Sequence, residues 1–191
     1  IHVDLQFRLR LDAAPARQRG LVVHAWCEEI EWIEDGLPEN DALRAIAQNK
    51  VPRMTKEQVT ELITKFRGWM DSEHIRNVLS REAFSSDQDT VVLVENEFPF
   101  VRLVEGGIQE GFIDRLVLIE RDGQVVGAEV LDFKTDEIKP GDGGTLAERR
   151  EYYRPQITAY CDFMQEQYGL SEDAVDGKLM FLGAGVISKV V

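Results

Sequence analysis

Phe112-Ile113-Asp114-Arg115-Leu116-Val117-Leu118-Ile119-Glu120, then Arg121-Asp122-Gly123-Gln124, then Val125-Val126-Gly127-Ala128-Glu129-Val130-Leu131-Asp132-Phe133-Lys134 is the stretch on which the fold turns. Two apolar runs of strand length flank an Asp-Gly pair, which suits the left-handed backbone of a tight turn. The pattern predicts a hairpin of strands 112–120 and 125–134. Along a strand, residues two apart face the same side, about 6.5–7 Å from one another. Asp132 and Lys134 therefore project together, on the side of Val126, Ala128 and Val130, and Asp114 shares a side with Leu116 and Leu118. Charges at the end of an apolar face are expensive unless paired or bound to a metal. Two aspartates gathering a divalent cation beside a lysine read as a hydrolytic site for phosphate esters. Ion pairing, of Asp132 with Lys134 and of Asp114 with an arginine, is the plainer alternative.

Outward from the hairpin, Val91 to Phe100 reads as a preceding strand, and 178–191 as a closing hairpin around Gly183-Ala184-Gly185. Helical periodicity dominates the first half of the chain. Val22, Val23, Trp26, Cys27, Ile30 and Ile33 form one apolar stripe, predicting a helix led by Gly20 and running to Ile33. Gly36-Leu37-Pro38 ends it. A short helix is predicted over 41–48, and Thr55-Lys56-Glu57-Gln58 reads as a capping box opening a longer one with Val59, Leu62, Ile63, Phe66 and Trp69 on its buried side. Another short helix follows Ser72. Thr145-Leu146-Ala147-Glu148 reads as a second capping box after a glycine-rich loop. That helix should kink or restart at Pro155 and end at Gly169. Val3 to Leu11 alternates like a strand or an extended linker. Strands flanked by helices make the chain α/β or α+β.

With 191 residues, 43% hydrophobic and 30% charged, the chain has the composition of one ordinary globular domain. No apolar run approaches the ~20 residues needed to span a bilayer, and neither a membrane partner nor a signal peptide is expected. It begins at Ile1 rather than Met, which reads as a segment of a longer protein. The two cysteines, Cys27 and Cys161, fall in amphipathic helical patterns and read as small buried hydrophobes in a reducing compartment. They are too few for a four-cysteine iron–sulfur cluster. A net charge of −13, from 35 acidic and 22 basic residues, argues against a stand-alone nucleic-acid binder, whose affinity comes largely from cations meeting phosphates.

Other residues are placed to join the carboxylates. His24 lies one turn into the first helix and reads either as a helix-surface or satisfied histidine or as a ligand; imidazole suits magnesium less than oxygen does, whereas a mixed His/Asp site tolerates manganese well. Glu28 shares a helix face with His24 and reads as solvated or as a neighbour of the ligands. Glu97 is equally readable as a site residue and as an edge-strand surface charge. Gln156 and Tyr160 lie four apart on one helical face, able to contact a phosphate backbone or lock the strands. Arg149, Arg150 and Arg154 make the start of this helix the most positive stretch of the chain, suited to holding a polyanion.

Gly20/His24, then Gly111/Asp114/Arg115, then Asp132/Lys134/Thr135, then Gln156/Tyr160 occur in an order that resembles the RecB-like branch of the PD-(D/E)XK nucleases, over about 20–160. The last strands, 178–191, are similar to the C-terminal hairpin of AddA-type helicase–nucleases, and Glu97-Phe98-Pro99-Phe100 to the strand preceding their first aspartate. The resemblance implies a restriction-endonuclease-like mixed central β-sheet flanked by helices, with an N-terminal helical section over 1–90 carrying His24. Residues 91–191 would then supply the sheet core, the motif helix and the hairpin of a single nuclease domain. It implies that His24, Asp114 and Asp132, with the backbone carbonyl of Phe133, bind Mg2+ or Mn2+. Lys134 would position the attacking water, with Asp114, Asp132 and Lys134 forming the catalytic set. Gln156 and Tyr160 would lie near the DNA, with Arg154 beside them.

The same resemblance implies no iron–sulfur cluster, unlike the AddB-like members. It implies single strands of DNA delivered by parent helicase domains, a bacterial cytoplasmic setting, a role in double-strand-break processing, and an AddB-like protein as partner. No phosphate-binding Gly-x4-Gly-Lys-Ser/Thr stretch is present in the chain itself. The rival readings are a nuclease-fold scaffold that binds DNA without cutting it, and a phosphoesterase for small nucleotides.

Overall fold

The computed structural model describes residues 14–84, 89–135, 138 and 143–191. Helices α1 (Ala14–Cys27), α2 (Asn40–Lys50), α3 (Lys56–Met70) and α4 (Glu73–Val78) precede strands β1 (Thr90–Val104), β2 (Gly107–Arg121) and β3 (Gln124–Lys134). Helix α5 (Gly143–Tyr168) then leads to β4 (Val175–Phe181) and β5 (Val186–Lys189). The strands lie in the order β1-β2-β3-β4-β5. Among these strands β3 and β4 run parallel, with α5 as their crossover, and the other neighbours are antiparallel. This is the mixed, helix-flanked α/β sheet that the sequence resemblance implied.

The central hairpin turns as expected. Asp122 and Gly123 both adopt left-handed backbone, φ 52° and 73°, which matches the twist of the flanking strands. Sequence patterning missed the preceding hairpin, where Gly106 (φ 95°) links β1 to β2. Residues 107–113 of β2 pair with β1 alone, because the β2–β3 ladder begins at Arg115↔Leu131.

Two apolar layers sandwich the sheet. On one face, Val22, Val23, Trp26, Leu43, Leu62, Phe66 and Ile75 from the N-terminal helices pack against Leu131, Phe133, Met180 and Leu182. On the other, Ile157, Tyr160, Cys161 and Met164 of α5 pack on Leu116, Leu118, Ala128, Val130 and Leu179. Strand β3 is thus buried on both sides, whereas Val126 at its start is exposed. Helix α5 approaches β4 so closely that a Cβ at Gly177 would lie 2.5 Å from Ile157 Cγ2 and 2.7 Å from Cys161 Sγ. That contact fixes the height of Gln156, the neighbour of Ile157, over the sheet.

The capping box at Thr55 forms in both directions: the Gln58 N–H donates to Thr55 Oγ1, and the Thr55 N–H donates to Gln58 Oε1. Gly169 (φ 67°) follows the last residue of α5, as expected of a C-cap. Other expectations need correction. Gly20 does not open a helix; α1 starts at Ala14 and stops at Cys27, well before Ile33. Ile30 and Ile33 are buried all the same in the core beside α1, and side chains from the sheet take the carbonyls that a longer helix would use. Asn96 Nδ2 donates to the Glu28 carbonyl, and Arg115 donates to those of Ile30 and Glu31. Thr145 is the third residue of α5 rather than its cap. The helix also passes through Pro155 without restarting. The alternating segment 3–11 lies outside the described residues.

Candidate active site

The functional side chains meet where β3 ends. Asp114 comes from β2, Asp132, Phe133 and Lys134 from β3, His24 from α1, and Gln156 and Tyr160 from α5. The two helical layers therefore reach the same strand ends from opposite faces. Gly20 allows α1 to come close: a Cβ there would stand 3.3 Å from Thr135 Oγ1.

His24 Nδ1 lies 3.4 Å from Asp114 Oδ1. The other carboxylate oxygen, Asp114 Oδ2, accepts the backbone N–H of Phe133 at 2.7 Å. Burial pulls the His24 pKa down, but the hydrogen bond to Asp114 and the charges of Asp114 and Asp132 outweigh it, and the net shift is upward. Asp132 is only 1% exposed. Its Oδ1 accepts from Gln156 Nε2 at 3.0 Å, and Oδ2 forms an ion pair with the Lys134 ammonium without a well-directed hydrogen bond. Burial is the main force raising the Asp132 carboxyl, to about 6; Lys134 opposes it and Asp114 adds to it.

Gln156 ties these groups together. Its Nε2 also donates to the Tyr160 hydroxyl at 2.7 Å, while its Oε1 accepts from Lys134 Nζ at 3.4 Å. Tyr160 is buried, with its ring edge-on to Phe100 at 5.1 Å, and burial raises its hydroxyl pKa far above the ordinary value. Arg154 is placed differently. It sits two residues before Gln156, where Nη1 donates to the Val190 carbonyl at 3.0 Å and Nε and Nη2 bond Glu151. Glu151, also paired with Arg150, is held down to about 2, chiefly by its hydrogen bond to Arg154. Arg115, next to Asp114, turns away from it and donates to the Ile30 and Glu31 carbonyls with its guanidinium 5.2 Å from the Trp32 ring centre. Both cysteines are buried and their thiol pKa values pushed up by burial, that of Cys161 to about 12.

Glu97, which sequence patterning left undecided, lies beside His24 and Asp114. Its φ of 52° is rare for a residue with a side chain. It interrupts the β1–β2 ladder opposite Asp114: Asn96↔Arg115 and Phe98↔Ile113 pair, and the pair between them does not. Alternation slips there, so Ile113 and Leu116, three apart, share one apolar cluster. Ligand atoms of His24, Glu97 and Asp114 lie within 4.8 Å of one another. Burial, then the charges of Asp114 and Glu28, raises the Glu97 carboxyl. The signal available in sequence was weak, a glutamate two residues before Pro99.

An imidazole and two carboxylates this close, with a third buried carboxylate beside them carrying a poorly satisfied oxygen, fit a divalent cation. A mixed sheet whose central strand ends in Asp-x-Lys, with a second aspartate on the neighbouring strand, defines a class of phosphodiester-cutting folds. The chain belongs to the PD-(D/E)XK nuclease superfamily, whose family model matches residues 3–188. It is also similar to an ATP-dependent helicase/nuclease protein of Enterococcus faecalis (strain ATCC 700802 / V583), with 28% identity over 163 residues. The match covers 84% of this chain and 12% of that relative.

Proposed function

We propose that this chain is a divalent-metal-dependent deoxyribonuclease domain that hydrolyses DNA phosphodiester bonds. The observation that carries the reading is the convergence of His24, Glu97 and Asp114 ligand atoms within 4.8 Å, beside a buried Asp132–Lys134 pair. His24, Asp114, Asp132 and the Phe133 carbonyl would hold the metal, with Glu97 as a further ligand. A bound Mg2+ or Mn2+ supplies Lewis-acid polarisation of the phosphate and lowers the pKa of a coordinated water. Around it, Lys134 offers its N–H groups to the attacking water and to the charge that grows on the phosphate. Gln156 holds Asp132 and Lys134 in register, and Tyr160 anchors Gln156. Arg149, Arg150 and Arg154, in the first half of α5, would meet the DNA backbone, Arg154 by exchanging its Glu151 carboxylate for a phosphate.

The similarity to a helicase/nuclease supports a reading of the setting. Residues 1–191 would be one nuclease domain of a longer helicase–nuclease, with a helical part over 1–90 and the sheet over 91–191. It would act beside an AddB-like partner in the bacterial cytoplasm, on single strands at broken DNA ends. Among the described residues no helix is long and apolar enough to cross a membrane. Delivery of strands by helicase domains would explain how a chain of net charge −13 works on a polyanion.

The test is cleavage of single- and double-stranded DNA by the purified chain with Mg2+ or Mn2+, beside Asp132→Ala and Lys134→Ala. The wild type should cut, chelation should stop it, and both variants should lose most activity. Intact DNA under every metal condition would remove the nuclease reading. Equal cutting by both variants would remove the site assignment.

A further inference from the structure

The position of Lys134 depends on the groups around it. A lysine side chain has four rotatable carbons and a point charge that fits many geometries. Among the described residues, three groups stand against the ammonium. Asp132 pairs with it, Gln156 Oε1 stands 3.4 Å away, and the Tyr153 ring centre lies 4.0 Å from Nζ. The first two are polar: Asp132 would share its charge with a metal, and the Gln156 amide is held by Asp132 and Tyr160 through Nε2 while it offers Lys134 only the longer contact to Oε1. Tyr153 differs in kind. An aromatic face attracts a cation through its quadrupole, so it holds the ammonium without neutralising it and leaves N–H groups for water and phosphate.

The chain arranges this contact locally. Tyr153 is half-buried against the α5-side core, one helical turn before Gln156, so its ring and the Gln156 amide reach β3 from the same helix face. Tyr152, mostly exposed, packs edge-on against the Tyr153 ring at 5.0 Å and limits its rotation.

We propose that Tyr153 is a positioning residue that holds the Lys134 ammonium over its ring for phosphodiester cleavage. The proposal rests on the nuclease reading above. The aromatic face makes the contact, and phenylalanine keeps that face. Tyr153→Phe should retain most of the single-turnover cleavage rate, whereas Tyr153→Leu should lower that rate at saturating enzyme roughly tenfold, with the half-saturating enzyme concentration little changed.

The test is single-turnover cleavage of a labelled single-stranded oligonucleotide with Mn2+ by the wild type, both variants, Lys134→Ala and Lys134→Ala/Tyr153→Leu. Thermal melting and Mn2+ titration of each variant accompany it. The expected result is a slow Tyr153→Leu rescued by Phe, with unchanged Mn2+ affinity and no further loss in the Lys134→Ala background. An inactive wild type would overturn the nuclease reading, and this inference with it. An active wild type with Leu as fast as Phe would overturn the inference alone. So would a Leu effect that persists undiminished without Lys134, or one matched by a fall in Mn2+ affinity or folding.

Discussion

Asp114 Oδ2 accepts the backbone N–H of Phe133 at 2.7 Å, one step beyond Arg115↔Leu131, where the β2–β3 ladder begins. A side chain thus takes the place of the next rung, and the carboxylate that would bind metal also pins the strand carrying Asp132 and Lys134. Asp114→Ala should therefore weaken two things at once. Metal affinity should fall, and the metal-free protein should lose about 1–3 kcal/mol because the Phe133 N–H is left buried without a partner. Urea unfolding without metal reads the second effect alone; an unchanged midpoint would refute the pinning role.

The metal-free protein should be more stable at mildly acidic pH than at neutral pH on account of Asp132. Its folded pKa, about 6, lies above the ordinary 3.8, so its contribution is full below the ordinary value and is lost as pH rises through 6. Asp132→Asn should remove this dependence. Its stability relative to wild type should grow from pH 4 to pH 7, by an amount on the order of 1–3 kcal/mol, visible as a widening gap in melting temperature. Parallel melting curves across that range would contradict it.

His24 and Glu97 are shifted the same way, upward, so protons compete with a metal for these groups more than they would at unshifted ones. Mn2+ affinity should rise steadily from pH 5.5 to pH 8, with proton release visible by calorimetry in buffers of different ionisation heat. Glu97→Gln and His24→Ala should each weaken Mn2+ binding, by roughly tenfold or more. Wild-type affinity in Glu97→Gln would place Glu97 outside the metal site.

Arg115 carries a different prediction, since its contacts are to the chain itself. It is 1% exposed, burial lowers its pKa to about 10, and it serves the Ile30 and Glu31 carbonyls. Arg115→Lys cannot reproduce that fork over Trp32 and should cost about 2–4 kcal/mol in denaturant unfolding while leaving Mn2+ affinity of the folded protein nearly unchanged. A selective loss of metal binding would assign Arg115 to the site instead.

What could be read from sequence were features set by neighbours in the chain. Asp122-Gly123 makes its own turn, the Thr55–Gln58 box closes within one helical turn, and period-two alternation gave β3. The features that could not be read depend on residues far away. The end of α1 is decided by Asn96 and Arg115, which lie in the sheet, and Gly20 is small because Thr135 stands against it. The same explains Glu97, whose role depends on a backbone irregularity facing Asp114 rather than on any local pattern. His24, Asp114, Asp132, Lys134, Gln156 and Tyr160 do meet in space. Arg154 is held instead by Glu151 and Val190.

Strand β3 is gripped from both faces, with Leu131 and Phe133 in one layer, Ala128 and Val130 in the other, and Asp132 between them. The amide protons of these residues should therefore exchange with solvent only when the molecule unfolds as a whole, because no single helix can peel away and expose them. Loss of activity on heating would then coincide with global melting rather than precede it, and a protease cut that freed either helical layer would abolish activity outright.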